Sequence, residues 1–196
     1  ALKDFAYHLA SKAKEFGFPV FLRTGHTSNK HGWNDNCFLE KPEDMLQHIY
    51  NLAEFSECAG ILGLPYREWV LREMLPTIPV ARCPRYGGMP VCREFRFFVR
   101  DGEVICHHPY WPLDSLKEGG LTSTEAARVF DLFSYHHNMP ALCALAAAAG
   151  RAVPGAWSID ILETTKGSFV TDMAEAHKSF HWEGCEAKAM FEAEAE

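Results

Sequence analysis

The sequence predicts an α+β fold arranged as two lobes with largely antiparallel sheets. Three observations carry that expectation. Helix, strand, loop, strand and helix follow one another over the first 58 residues. Asp101-Gly102, two residues that tolerate positive φ, sits between two strand-like runs and is the strongest hairpin signal in the chain. Residues 77–90 carry Pro79, Pro84 and Pro90 with Gly87-Gly88, which reads as an extended connection and divides the chain into lobes of residues 1–76 and 77–196.

Each element has a local reason. Leu2, Phe5, Leu9, Ala13 and Phe16 recur at helical spacing, and Gly17 follows as a C′ residue. Residues 19–23 (PVFLR) form a β-type run, and residues 24–33 (TGHTSNKHGW) a polar loop without hydrophobic period, the first candidate site. A short strand over residues 36–40 leads into a helix over 42–58, where Pro42 opens the first turn and Met45, Ile49, Leu52 and Ala53 form a buried stripe. Residues 68–75 (EWVLREML) form another strand, ending at Pro76. Strands at 91–100 and 103–111 flank the Asp101-Gly102 turn. Thr122 and Glu125 fit a capping box opening a helix to about residue 138, and Pro140 starts a second, alanine-rich helix that ends at Gly150. Strands over 156–164 and 168–174 complete the core, and the Ala/Glu-rich tail after Cys185 reads as a surface helix or a frayed end.

Composition narrows the function classes. Of 196 residues, 47% are hydrophobic and 13% aromatic, the balance of a globular chain. Against 19 basic side chains stand 26 acidic ones, a formal charge of −7, which is the wrong sign for nonspecific nucleic-acid binding. The longest apolar stretch, residues 139–149, is too short to span a bilayer, and no basic-then-apolar leader opens the chain, so a cytoplasmic protein without membrane partners is expected. Seven cysteines without a CxxC pair read as reduced thiols. Zinc spacing is missing locally, so any metal site from the doublets His107-His108 and His136-His137 and a cysteine would have to be assembled in space.

Two register questions bear on chemistry. If Thr165-Lys166-Gly167 is a three-residue turn, Thr164 faces Ser168 and Asp160 lies opposite Asp172. Two opposed carboxylates call for a cation, and hard oxygen donors favour Mg²⁺ or Ca²⁺. A two-residue turn instead puts the two aspartates on opposite faces, and the pattern alone does not choose between the two. In the other hairpin a two-residue loop pairs Arg100 with Glu103, Phe98 with Ile105 and Arg96 with His107. Phe95, Phe97 and Val99 then share an apolar face, while Glu94, Arg96, Phe98 and Arg100 share the other. That charged row is either a solvated surface or a guanidinium aimed at phosphate. Arg23, Lys30 and Arg72 add three cations, of which Arg72 stands among apolar neighbours and calls for an anionic partner.

The order of these parts resembles the ATP-grasp superfamily over about residues 19–178. The resemblance implies two α+β lobes clamping ATP. It likens PVFLR and HTSNKHGW to the first-lobe strand and phosphate-covering loop, with Arg23 and Lys30 as basic contacts and Lys30 acting when a mobile loop closes. It likens EWVLREML, carrying Arg72, to the interlobe hinge, where Glu73, Met74 and Leu75 meet the adenine largely through backbone groups. Arg96 points to the phosphates with His107 beside it, and SIDIL and VTDMAEAH supply the magnesium ligands Asp160 and Asp172. Ala174 stands where the family usually has Asn, and Glu175 supplies the oxygen in its place. More narrowly, SNKHGW, VLRE, EFRFFVRDGEV and SIDIL resemble a phage-associated clade distinguished by two arginines and a lysine and, more distantly, the eukaryotic translation-initiation-factor assembly chaperones.

The resemblance implies an enzyme using ATP and Mg²⁺ to join a carboxylate to an amine, a peptide or protein being one source of these groups, with Arg96 and Lys30 as catalytic cations. A non-ligating, ATP-holding assembly or partner-binding module is the alternative. A metal-storing protein built on the Cys/His groups is a third. Removing either Asp160 or Asp172 should relieve repulsion and leave the metal-free protein at least as stable.

Overall fold

The computed structural model describes residues 1–59, 63–134 and 138–192; the His136-His137 doublet lies outside them. Among the described residues the order is α1 (Leu2–Phe16), β1 (Val20–Thr24), β2 (Phe38–Leu39), α2 (Met45–Cys58), β3 (Trp69–Glu73), β4 (Ala81–Cys83), β5 (Met89–Val91), β6 (Glu94–Arg100) and β7 (Glu103–Pro109). There follow α3 (Leu113–Glu118), α4 (Ser123–Ser134), α5 (Met139–Ala152), β8 (Ala156–Thr164), β9 (Gly167–Glu175) and α6 (Lys188–Glu192), with single 3-10 turns at Lys30–Gly32, Pro42–Asp44, Pro84–Tyr86 and Ala176–Lys178. The chain divides into two compact units, Ala1–Leu75 with Arg82–Met89, and Pro76–Ala81 with Pro90–Glu196.

The first unit is an antiparallel sheet of order β2-β1-β3 carrying α1 and α2. Its core is Ala6, Ala10 and Ala13 of α1, Val20 and Leu22 of β1, Leu39 of β2, and Met45, Ile49 and Leu52 of α2. The helical and two-residue periods of the sequence thus meet in one cluster, in which each Leu, Ile or Val contributes about 1.5–3 kcal/mol by leaving water.

The second unit is a four-stranded antiparallel sheet of order β7-β6-β8-β9. One face, Phe95, Phe97, Val99, Ile159 and Ile161, is covered by Leu142 and Ala146 of α5. Gly150 lets α5 come close, since a Cβ there would stand 2.4 Å from Val99 Cγ1. The other face carries Phe98, which packs with Ala176 and Phe191. Residues 179–192 therefore cover part of this face, and the tail expected to be surface or frayed buries Phe191. The predicted capping box is present: the Thr122 N–H donates to Glu125 Oε2 at 2.9 Å and the Glu125 N–H to Thr122 Oγ1 at 3.3 Å.

Several expectations change. Residues 77–90 are not simply extended, because β4 and β5 pair there around the Pro84–Tyr86 turn. The strand expected over 36–40 shrinks to two residues, and α3 has no counterpart in the sequence reading. The strand expected over 68–75 ends at Glu73, so Met74 and Leu75 lie past it. Among the described residues no helix is long and apolar enough to cross a membrane.

Candidate functional site

Neither of the turn readings describes the β8–β9 connection alone. Thr164 pairs with Gly167, so the turn has two residues, not the three that the aspartate pairing required. The Thr164 hydroxyl accepts the Lys166 N–H at 3.0 Å and donates to the Gly167 carbonyl at 2.8 Å, while the Thr165 N–H reaches the Pro76 carbonyl at 3.0 Å. Those contacts hold the tight turn, and the last depends on a residue far away in the chain. A bulge between Asp160 and Ile161 then inserts Thr171, whose hydroxyl donates to the Asp160 carbonyl at 3.3 Å. One extra residue restores the shifted register, and Asp160 stands opposite Asp172 after all.

A second bulge corrects the other hairpin. Arg100 pairs with Glu103 across a tight turn with φ 49° at Asp101 and 82° at Gly102, as Asp-Gly predicts. The register then shifts between Phe98 and Val99, so Arg96 faces His108 and not His107. His107 instead pairs with Phe97, its ring tilted against that phenyl at 5.5 Å, in the alternate register to Arg96. His108, Arg96, Asp160 and Asp172 thus form one row across all four strands.

Arg96 and Asp160 are joined inside that row. Arg96 Nε donates to Asp160 Oδ1 at 2.7 Å and Nη2 to Oδ2 at 2.8 Å, a bidentate fork. Side-chain exposures of 16% and 6% make this a largely buried pair. Nη1 reaches the Phe180 carbonyl at 3.3 Å, and the guanidinium lies 4.8 Å over the Tyr110 ring. Burial opposes the charge on Arg96, but the bonds and charge of Asp160 outweigh it and hold its pKa above the ordinary arginine value. The cation that opposed aspartates call for is therefore, for Asp160, a guanidinium of the neighbouring strand. Asp172 is exposed, and its Oδ1 accepts the Met173 N–H at 3.2 Å. Glu175 pairs with Trp157 in the alternate register to Asp160 and Asp172, and its carboxylate takes the Lys178 ammonium, so the strand separates it from the aspartate pair. Tyr110, His108 and the Phe180 carbonyl escaped the sequence reading, because only a bulge and a chain reversal bring them to Arg96.

In the first unit, Arg23 and Lys30 both pull on the thiol of Cys37, which burial nonetheless pushes up to about 12. The strand and the loop thus bring these two cations to one neighbourhood. Arg23 Nε donates to the Thr24 carbonyl at 3.0 Å. The loop is pinned at its end by Trp33, buried between Phe21 and Phe38, and along its length by polar bonds: Thr24 Oγ1 accepts the N–H groups of His26 at 3.3 Å and Thr27 at 3.0 Å, and Asn36 Nδ2 donates to the Asn29 carbonyl at 3.3 Å. Lys30 opens the 3-10 turn, and His31 stacks on Tyr86 at 4.0 Å. Arg72, half-buried on β3, lies 4.9 Å over the Phe21 ring. Glu73 ends that strand exposed, with Met74 and Leu75 half-buried beyond it.

His108 gives the row a pH signature. Burial, assisted by His181 and Arg96, lowers its imidazole from 6.5 to about 4. The unfolded chain therefore binds a proton between those values that the folded one refuses, so stability is full above about 6.5, falls as pH drops, and levels off below about 4. His108→Asn, whose amide can replace the Nδ1 donor to the Pro109 carbonyl, should flatten that slope. Urea midpoints of both proteins in chelator across this window test it, because other acid losses cancel in the difference.

A family model for the ATP-grasp domain, family 3 of the clade named for two arginines and a lysine, matches residues 13–179. The chain belongs to this ATP-grasp family. No curated protein matches its sequence at a significant level. Among solved structures it is similar to the biotin carboxylase domain of Hydrogenobacter thermophilus 2-oxoglutarate carboxylase in complex with MgADP, ADP and bicarbonate, at 14% identity and TM-score 0.42 over 85% of this chain and 32% of that one. It is also similar to Cdc123 from Schizosaccharomyces pombe, at 15% identity and TM-score 0.48 over 87% of this chain and 65% of that one. The chain thus spans less than two thirds of either structure. ATP-grasp domains use ATP and Mg²⁺, which are the cofactors of this family member. The donor set fits them: Asp160 and Asp172 offer hard oxygens from adjacent strands, and each Asp160 oxygen keeps a lone pair beyond its bond to Arg96.

Proposed function

We propose that this ATP-grasp domain is an ATP-dependent carboxylate–amine ligase that acts through an acyl phosphate. A carboxylate oxygen attacks the γ-phosphorus and ADP leaves. The amine nitrogen then attacks the acyl carbon, inorganic phosphate leaves, and the nitrogen gives up a proton. The observation that carries the reading is the row in which two opposed carboxylates share a face with a guanidinium. Asp160 and Asp172 hold Mg²⁺, which supplies neutralisation of phosphate charge. Arg96 orients Asp160 through its fork and adds a fixed positive charge beside the metal site. Lys30, Arg23 and Arg72 add positive charge for the phosphates, and the chain at Glu73, Met74 and Leu75 meets the adenine through backbone groups. Such chemistry asks mainly for positioning and charge, which fits a chain whose candidate residues are cations and carboxylates. The acceptors are peptide-like or protein carboxylates and amines in a cytoplasm.

One observation favours a non-ligating, nucleotide-held binding module instead: two of the three guanidinium nitrogens of Arg96 are already committed to Asp160. Release of ADP with panels of acids and amines separates the readings, since a binding module gives none above background. Calorimetry with ATP and Mg²⁺ should give heat and a rise in melting temperature. Lys30→Ala should slow ADP release on the order of 10²-fold while changing ATP affinity far less, as expected of a point charge that acts mainly on the transition state. Unchanged ADP release in that variant would remove Lys30 from the machinery.

A further inference from the structure

We propose that Cys106, His181 and Cys185 form a zinc site that ties the C-terminal segment to the edge of the four-stranded sheet. The donor atoms of these three residues lie within 4.8 Å of one another, and Cys106 Sγ stands 3.3 Å from His181 Nε2. A tetrahedral ion with Zn–S of about 2.3 Å and Zn–N of about 2.0 Å spans ligand–ligand edges of roughly 3.5–3.8 Å, so small side-chain shifts close the shell. Two thiolates and an imidazole select a borderline-soft ion, in contrast to the hard oxygens of Asp160 and Asp172.

The site is built by the fold. The bulge in the β6–β7 hairpin pairs Cys106 with Phe98, on the face that α6 covers. His181 is buried, and its ring stacks on Phe98 at 3.8 Å with 10° between planes, so its orientation is fixed by packing. Another imidazole stands beside the set: His108, on the same edge strand, lies 5.7 Å from His181 between ring centroids. Its Nδ1 faces the Pro109 carbonyl at 3.0 Å, which places the proton there and leaves Nε2 as a lone pair. Among the described residues that buried Nε2 has no hydrogen-bond partner, and a side-chain shift would bring it to the fourth position, since it lies outside the three donors already within 4.8 Å of one another. A carbonyl holding the remote nitrogen of an imidazole is the usual outer-shell arrangement of a metal-ligating histidine. The ligands are 75 residues apart between Cys106 and His181, so one ion would cross-link distant parts of the chain.

The test uses the full chain, produced without a histidine tag in zinc-supplemented medium and dialysed. About one zinc per chain is expected by elemental analysis, lost in Cys106→Ser and in Cys185→Ser. Because either variant can fail to fold, Co²⁺ is also titrated into the metal-free wild-type chain. The intense visible bands of tetrahedral cobalt with a thiolate charge-transfer band in the near ultraviolet are the expected result. Chelation should speed tryptic cleavage at Lys188, and unchanged cleavage would overturn the tether. Absence of both stoichiometric zinc and the cobalt–thiolate spectrum, or a Cys106–Cys185 disulfide in metal-replete protein, overturns the site. Neither outcome depends on the nucleotide reading.

Discussion

Arg96→Ala should destabilise the protein by about 3–5 kcal/mol, the cost of stranding one member of a buried ion pair. The Asp160 side chain, only 6% exposed, loses both fork bonds together and then faces Asp172 across the strand pair with no guanidinium beside it. Asp160→Asn should also destabilise, because it leaves the Arg96 charge buried against a neutral amide. This reverses the expectation that removing either aspartate relieves repulsion. Relief is expected only for Asp172→Asn, whose side chain is exposed, and that variant should be neutral or slightly stabilised. Arg96→Lys keeps the charge but loses the fork and should recover only part of the loss. Urea unfolding of the four variants decides the matter. An Arg96→Ala cost below about 1 kcal/mol would mean that the pair behaves as a surface ion pair.

Asp172→Asn should weaken Mg²⁺-dependent ATP binding by about 10- to 100-fold, or roughly 1.4–2.7 kcal/mol. The carboxylate stands opposite Asp160 in the row and offers a dication a second set of hard oxygen donors. Because this variant leaves the Arg96–Asp160 pair intact, lost binding cannot be ascribed to unfolding. Calorimetry with ATP in Mg²⁺ and in chelator gives the readout: the wild-type chain gains affinity from the metal, and the variant should gain little. Equal metal dependence in both proteins would take Asp172 out of the magnesium site.

The local periods of the sequence were enough for α1, α2 and α5, the tight Asp101-Gly102 turn, the capping box at Thr122 and the alternation that puts Phe95, Phe97 and Val99 against a helix. Each of these depends on residues within a few positions of one another, where spacing and turn chemistry dominate. Family motifs, read in order, also sufficed to identify an ATP-grasp domain. What the chain could not announce is where a strand gains a residue. The Thr171 bulge rescues the Asp160–Asp172 pairing from a turn that alone would destroy it, and the bulge below Val99 trades His107 for His108 beside Arg96. Both bulges lie in a sheet covered by α5 on one face and by the segment bearing Phe191 on the other. Those partners arrive from tens of residues away. For the same reason the Arg96–Asp160 fork and the meeting of Cys106, His181 and Cys185 are properties of the tertiary structure alone: they join side chains whose separation in sequence carries no spacing signal, and only the burial of the sheet brings their atoms within bonding reach.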